Sequence, residues 1–168
     1  ELYTATLEVC DILGIELDED ALKSASCTGA GVLQEKNLRL GDTLNARTFA
    51  MAEKAGLPLM TICSTCQGVM SQANERLVAD PEYLASINED LKEEGLEYKG
   101  TINPKHLLWI IVEDLGMDFF NSKVVRKLEG LKLAPFYGCY LVRPSDALGF
   151  NENPKRETSL ESIIEAVG

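Results

Sequence analysis

Over the first thirteen positions, apolar residues recur at Leu2, Ala5, Val9, Ile12 and Leu13, close to one face of a helix, and Gly14 supplies the stop. Residues 15–17 read as a short strand. The stretch 26–31 (Ser-Cys-Thr-Gly-Ala-Gly) is expected to be irregular. Asp42 is expected to N-cap a helix running to Ala55, with Leu44, Met51, Ala52 and Ala55 as its apolar stripe and Gly56 beyond its end. Residues 58–62 form the short continuous apolar run of a buried parallel strand. Cys63-Ser64-Thr65-Cys66 follows directly, and 67–79 is expected to continue as helix.

Asp80-Pro81 has the N-cap and N1 pattern of another helix, with Leu84, Ile87 and Leu91 inward and Gly95 as its end. Its outer face, with Glu82, Glu89, Asp90, Lys92, Glu93 and Glu94, reads as solvated surface. Asn103-Pro104 opens a very apolar helix through Leu115, expected to pack on two sides. A short helix over 117–128 follows, then a strand-like run, 131–137, that delivers Gly138-Cys139. Thr158 and Glu161 have capping-box spacing ahead of a helix that stops at Gly168. The alternation predicts an α/β fold with a short parallel sheet flanked by helices, and cysteines at strand carboxyl ends. Aligning Gly168 with Gly14 pairs Val167 with Leu13, Glu165 with Asp11, Ile164 with Cys10 and Ile163 with Val9. This weak similarity would make the chain about one repeat long.

Composition narrows the function. The chain has 168 residues with 16 basic against 27 acidic, a net charge of −11. That balance excludes a nucleic-acid surface, because a phosphate backbone needs a basic stripe. The longest nearly apolar run, 107–112, is too short to cross a bilayer. The chain opens at Glu1 without a methionine and is expected to be a piece of a longer protein. Its five cysteines are an odd number with no recognisable secretion signal, which points to a reducing, cytoplasmic setting rather than a disulfide framework.

Clustered cysteines in that setting do metal, iron–sulfur or redox work, or else serve as small buried side chains. Cys63-x-x-Cys66 sits where a strand hands over to a helix, and the first helical N–H groups favour thiolate there. Two such thiolates are half a site for zinc or an iron–sulfur cluster, with a redox dithiol as the competing use. Cys139 follows a strand-like run and is expected on the same sheet edge. Cys27 lies in a glycine-flanked loop able to bend around a cluster. Cys10 is expected in the core. His106, the single histidine, reads as a capping or packed side chain, with a fourth-ligand or outer-sphere role as alternatives. No Ser/His/Asp order, phosphate loop or nucleotide fingerprint is present, so chemistry must lean on sulfur and bound metal.

Cys27-Thr28-Gly29, Leu44-Asn45-Ala46-Arg47, Cys63-x-x-Cys66, Lys105-His106-Leu107-Leu108 and Tyr137-Gly138-Cys139 with Arg143-Pro144 occur in the order seen in the cysteine-rich CCG-domain family. The chain most resembles the B subunit of heterodisulfide reductases and the related subunit of archaeal-type succinate dehydrogenases and fumarate reductases. The resemblance implies two domains: 1–130 as a first CCG-type domain without its initial strand and cysteine, and 131–168 as the start of a second. It also implies an electron-transfer subunit acting beside iron–sulfur or flavoprotein subunits of a redox complex, cytoplasmic or held at the membrane through them. By position, Cys27, Cys63 and Cys66 match ligands of the first domain and Cys139 the opening ligand of the second.

One residue departs from the pattern. Thr28 stands where the family has the second cysteine of Cys-Cys-Gly, and a hydroxyl is a poor ligand for a soft metal. With an upstream cysteine the domain would offer four thiolates, suiting a [4Fe–4S] cubane or, alternatively, structural zinc in a non-catalytic scaffold. By itself this chain offers three. It is expected to hold metal weakly or not at all unless water, His106 or another chain completes the shell.

Overall fold

The computed structural model describes residues 2–29 and 31–168. Glu1, expected to start the first helix, and Ala30, in the glycine-flanked loop, lie outside the described residues. The architecture is a small α/β fold in which helices predominate around a two-stranded parallel sheet. Helix α1 spans Leu2–Leu13, α2 Val32–Lys36 and α3 Leu38–Ala55. Strand β1 is Met60–Thr61, and α4 (Ser64–Ala79) and α5 (Pro81–Leu91) follow it. Strand β2 is Lys105–His106, leading into α6 (Leu107–Trp109) and a wider π-helical turn, Ile110–Leu115. Helices α7 (Met117–Lys123), α8 (Cys139–Val142) and α9 (Ser159–Val167) complete the chain.

The main core lies between α3, α4 and α5. Ala46, Phe49, Ala50 and Ala52 of α3 meet Leu77, Ile87, Leu91 and the loop residues Leu59, Tyr98 and Ile102. The Phe49 and Tyr98 rings pack with centroids 5.0 Å apart. The buried face of α3 is therefore built on Ala46 and Phe49 rather than on the expected Leu44, Met51 and Ala55. A second cluster joins Trp109 to Leu141, Leu148 and Phe150. Arg156 stacks 4.3 Å over the Trp109 ring, donates to the Leu148 carbonyl and pairs with Glu113 at 2.7 Å. Lys105 reaches the same Glu113 at 2.7 Å. This carboxylate thus ties β2 to the segment after α8.

Several expectations are corrected. Asp42 does not cap α3; Asn37 does, accepting from the Leu40 N–H at 3.0 Å. Asp42 is buried one turn further on, where it accepts from Arg76 at 2.6 and 3.0 Å and from the Tyr83 hydroxyl at 3.0 Å. The arginine lies in α4, beyond the reach of a local pattern. Residues 15–17 and 131–137 form no strand, because nothing pairs with them; Phe136 is 87% exposed. The helix expected from Asn103-Pro104 starts only at Leu107, since Lys105 and His106 pair in parallel with Met60 and Thr61. Helix α7 stops at Lys123 rather than 128. The inward face of α1 is Thr6, Cys10 and Leu13, which leaves Leu2, Val9 and Ile12 exposed. The capping box before α9 does not form. The Tyr137 hydroxyl instead accepts the Leu160 N–H at 2.7 Å and donates to Glu161 at 2.5 Å, so a side chain from well upstream holds the first turn. By contrast, Asp80 caps α5 as expected, and Cys10 is buried.

Burial pushes the Glu113 carboxyl up, but hydrogen bonds and charge from Arg156 and Lys105 outweigh it and hold the group below the ordinary carboxylate range. The unfolded chain therefore takes up this proton first as acid is added. The stabilisation is complete above the ordinary glutamate value of about 4.3 and is lost as pH falls through the lower folded value. Glu113→Gln is expected to cost about 1–3 kcal/mol in urea unfolding at pH 7, and the gap to the wild type should narrow below about pH 4. A gap that stays constant through that range would show that the carboxylate charge is idle.

Candidate metal centre

The turn from β1 into α4 carries the sulfur chemistry. Thr61 pairs with His106 in the sheet, Ile62 follows, and Cys63 occupies the N-cap position of the 16-residue α4. Two side chains hold this turn, the buried Gln67 and the half-buried His106. Gln67, one turn into α4, accepts from the Thr61 hydroxyl at 2.7 Å. Its amide donates to Ser71 at 2.9 Å and to the Pro104 carbonyl at 2.7 Å, so all its polar atoms are engaged. On the other side, His106 Nδ1 accepts the Leu108 N–H at 3.2 Å, which caps α6, and the imidazole also bonds the Ile62 backbone. Burial outweighs the opposing Ile62 bond and holds this imidazole below its usual value.

Cys63 is exposed and Cys66 half-buried. Burial raises the Cys63 thiol, but the Cys66 N–H and thiol, then the Thr65 N–H and side chain, more than offset that and hold it below the ordinary thiol range. The donors that lower it belong to the first turn of α4, where backbone N–H groups are not taken up within the helix. Cys66 shifts the opposite way, up to about 12, through burial, then the charge and hydrogen bond of Cys63, then those of Cys27. Cys27 is exposed in its loop, and its sulfur accepts the Gly29 N–H at 3.4 Å.

Both Cys63 and Cys27 thus influence Cys66 by charge and hydrogen bonding, which places the three thiols in one neighbourhood near the N-terminus of α4. Among the described residues no three His, Cys, Asp or Glu side chains are already arranged to hold a metal ion; the sulfurs are neighbours rather than a finished coordination sphere. Cys139 is exposed at the start of α8, not at a strand end. The preceding Gly138 lies against Ser64, so that a Cβ on it would come 2.9 Å from the Ser64 hydroxyl. Cys139 therefore starts beside the Cys-x-x-Cys turn, although its thiol is not among the neighbours of Cys66. Cys10 lies apart in α1. His106 Nδ1 is engaged by the Leu108 N–H. Gln67 carries no local signal in the sequence beyond its place next to Cys66; its partners lie in β1 and before β2.

The donor set is one of soft thiols gathered at a helix terminus, which fits an iron–sulfur cluster or zinc far better than a hard cation. A model of the cysteine-rich CCG domain matches residues 1–71, the stretch containing Cys27, Cys63 and Cys66. Over that stretch the chain resembles the cysteine-rich CCG domain. It is 36% identical over 160 residues, 95% of its length, to the 8-methylmenaquinol:fumarate reductase membrane anchor subunit of Wolinella succinogenes, covering 54% of that protein. It is 35% identical over 157 residues, 92% of its length, to the B subunit of the ferredoxin/F420H2-dependent CoB-CoM heterodisulfide reductase of Methanosarcina acetivorans, covering 51% of that protein. A protein of Archaeoglobus profundus, named as like the heterodisulfide reductase B subunit, is 29% identical over 93% of the chain, which covers 52% of that protein. The chain spans about half the length of the curated relatives it matches. These relatives are named as subunits of reductases or as like one. Among the described residues no helix is long and apolar enough to cross a membrane.

His106→Ala is expected to lower the stability of the metal-free chain by about 1–2 kcal/mol, the size of a lost cap and one further hydrogen bond. Urea unfolding checks this, and an unchanged midpoint would mean that the Ile62–Leu108 tie carries no load.

Proposed function

We propose that this chain is an iron–sulfur electron-transfer subunit of a heterodisulfide reductase-like or succinate/fumarate reductase-type complex. Cys27, Cys63 and Cys66 would hold a [4Fe–4S] centre, with Cys139 as the first ligand of a second set. In this reading residues 1–130 are a first CCG-type domain and 131–168 the start of a second. What supports it is the neighbourhood of three thiols near one helix N-terminus, with the Cys63 thiol lowered by hydrogen bonds from the first turn and the Cys66 thiol raised by burial and then by Cys63 and Cys27. Cys66 thus resists a negative charge beside Cys63 until a cation arrives.

When bound, a cluster of this kind supplies one-electron redox chemistry. The chain's own contribution is electrostatic and geometric. The N–H groups of Thr65 and Cys66 face the Cys63 sulfur, and Gln67 and His106 keep that terminus aligned with the sheet. Loading would displace the proton held on Cys66, so metal uptake should release protons and strengthen with rising pH. Thr28 adds no thiolate, so a fourth donor would have to come from water, another segment or another chain. Partners would be iron–sulfur or flavoprotein subunits, with the complex cytoplasmic or held at a membrane through them.

Zinc fits the same donors, and then the domain would be a non-catalytic scaffold. Anaerobic purification of the full-length protein separates the two. The iron reading expects a brown protein with iron and acid-labile sulfide, and loss of most of both in Cys63→Ser. A colourless protein with stoichiometric zinc would replace it with the scaffold, and a protein binding neither metal would overturn both.

A further inference from the structure

Two glycines near the cysteines, Gly31 and Gly68, give up their side-chain space to one residue outside the sulfur set, Tyr140. Its neighbour Cys139 opens α8, and α8 lies directly on α4. The contact is possible because position 68, two residues after Cys66, is glycine. A Cβ there would lie 2.8 Å from both Cβ and Cδ1 of Tyr140 and would also run into the Tyr140 carbonyl oxygen. The far end of the same ring meets the loop that carries Cys27. Its hydroxyl fills the place of a side chain on Gly31, whose φ of 80° is in the left-handed region. Beyond Gly31, α2 is held on α4 by Gln34, which donates to Gln72 and accepts from Arg76, both at 3.4 Å. One aromatic side chain therefore occupies the space between the Cys27 loop and the Cys63–Cys66 helix, and its backbone carries Cys139.

We infer that Tyr140 is a positioning residue: wedged between Gly31 and Gly68, it sets the spacing of the Cys27 loop, and of Cys139, against the Cys-x-x-Cys helix. This rests on the proposed function, in that the sulfurs it spaces are the proposed ligands. The device is steric, and among the described residues the Tyr140 hydroxyl makes no hydrogen bond. Glycine in the interior of an exposed helix is normally improved by alanine. At position 68 the sign is reversed, because the added methyl must displace main chain as well as a ring.

Disulfide trapping in metal-free protein tests this without requiring any cluster. Diamide takes two electrons and two protons from a pair of neighbouring thiols, and peptide mapping then gives the ratio of Cys27–Cys66 to Cys63–Cys66 disulfide. The second pair is local to the start of α4 and serves as the internal reference. Tyr140→Ala and Gly68→Ala are expected to lower that ratio roughly tenfold, the scale of a packing defect of this kind, with far-UV circular dichroism unchanged. Tyr140→Phe should keep the wild-type ratio. A ratio unchanged in Tyr140→Ala overturns the inference even if Gly68→Ala fails to fold, and so does a loss in Tyr140→Phe as large as in Tyr140→Ala. A protein that lacks iron but shows the expected ratios would defeat the proposed function and leave the wedge standing.

Discussion

The handover from β1 to α4 depends on a buried amide, because Gln67 bonds at once to the strand before the cysteines, to its own helix and to the chain entering β2. A buried amide with every polar atom satisfied fixes orientation, since any shift leaves a donor or acceptor unpaired at a cost of about 1–3 kcal/mol. His106 does the same from the opposite side through Ile62 and Leu108. Together they hold a two-stranded sheet that has little strength of its own. The cysteines are placed by this frame, and the first turn of α4 then supplies the hydrogen bonds that act on Cys63.

Hydrogen bonding at Cys63 and burial at Cys66 divide the two thiols of the Cys-x-x-Cys turn. Cys63, at the helix cap and open to solvent, is the group favoured as thiolate. Cys66, deeper and between two sulfurs, is the group that keeps its proton. Cys27 arrives from a separate loop, and its place depends on how that loop is seated against α4. The larger frame is secured by charge as well as packing: Asp42 with Arg76 and Tyr83 across three helices, and Glu113 with Arg156 and Lys105 between β2 and the chain after α8. Both clusters join segments far apart in sequence.

Legibility in the sequence follows the range of the interactions. The cap at Asp80, the burial of Cys10, the apolar run ahead of Cys63 and the parallel character of the sheet are set by near neighbours or by plain hydrophobicity, and the structure shows them. The strand expected over 131–137 rests on apolar residues alone; with no partner edge to receive it, Phe136 and Leu131 remain exposed. Asp42 carries a cap's chemistry, but Arg76, 34 residues away, has the stronger claim on it. Lys105 and His106 follow a proline helix signal, yet sheet pairing with Met60 and Thr61 prevails for two residues. The roles of Gln67 and Tyr140 have no sequence signature, because each is defined by three segments that meet only in the fold.

X-ray absorption at the bound metal tests the central claim most directly, that the sulfurs of Cys27, Cys63 and Cys66 share one soft centre. In full-length protein the account predicts a first shell dominated by sulfur at about 2.3 Å, diminished by Cys27→Ser as much as by Cys66→Ser. A shell of oxygen and nitrogen, or one unaffected by loss of Cys27, would contradict it.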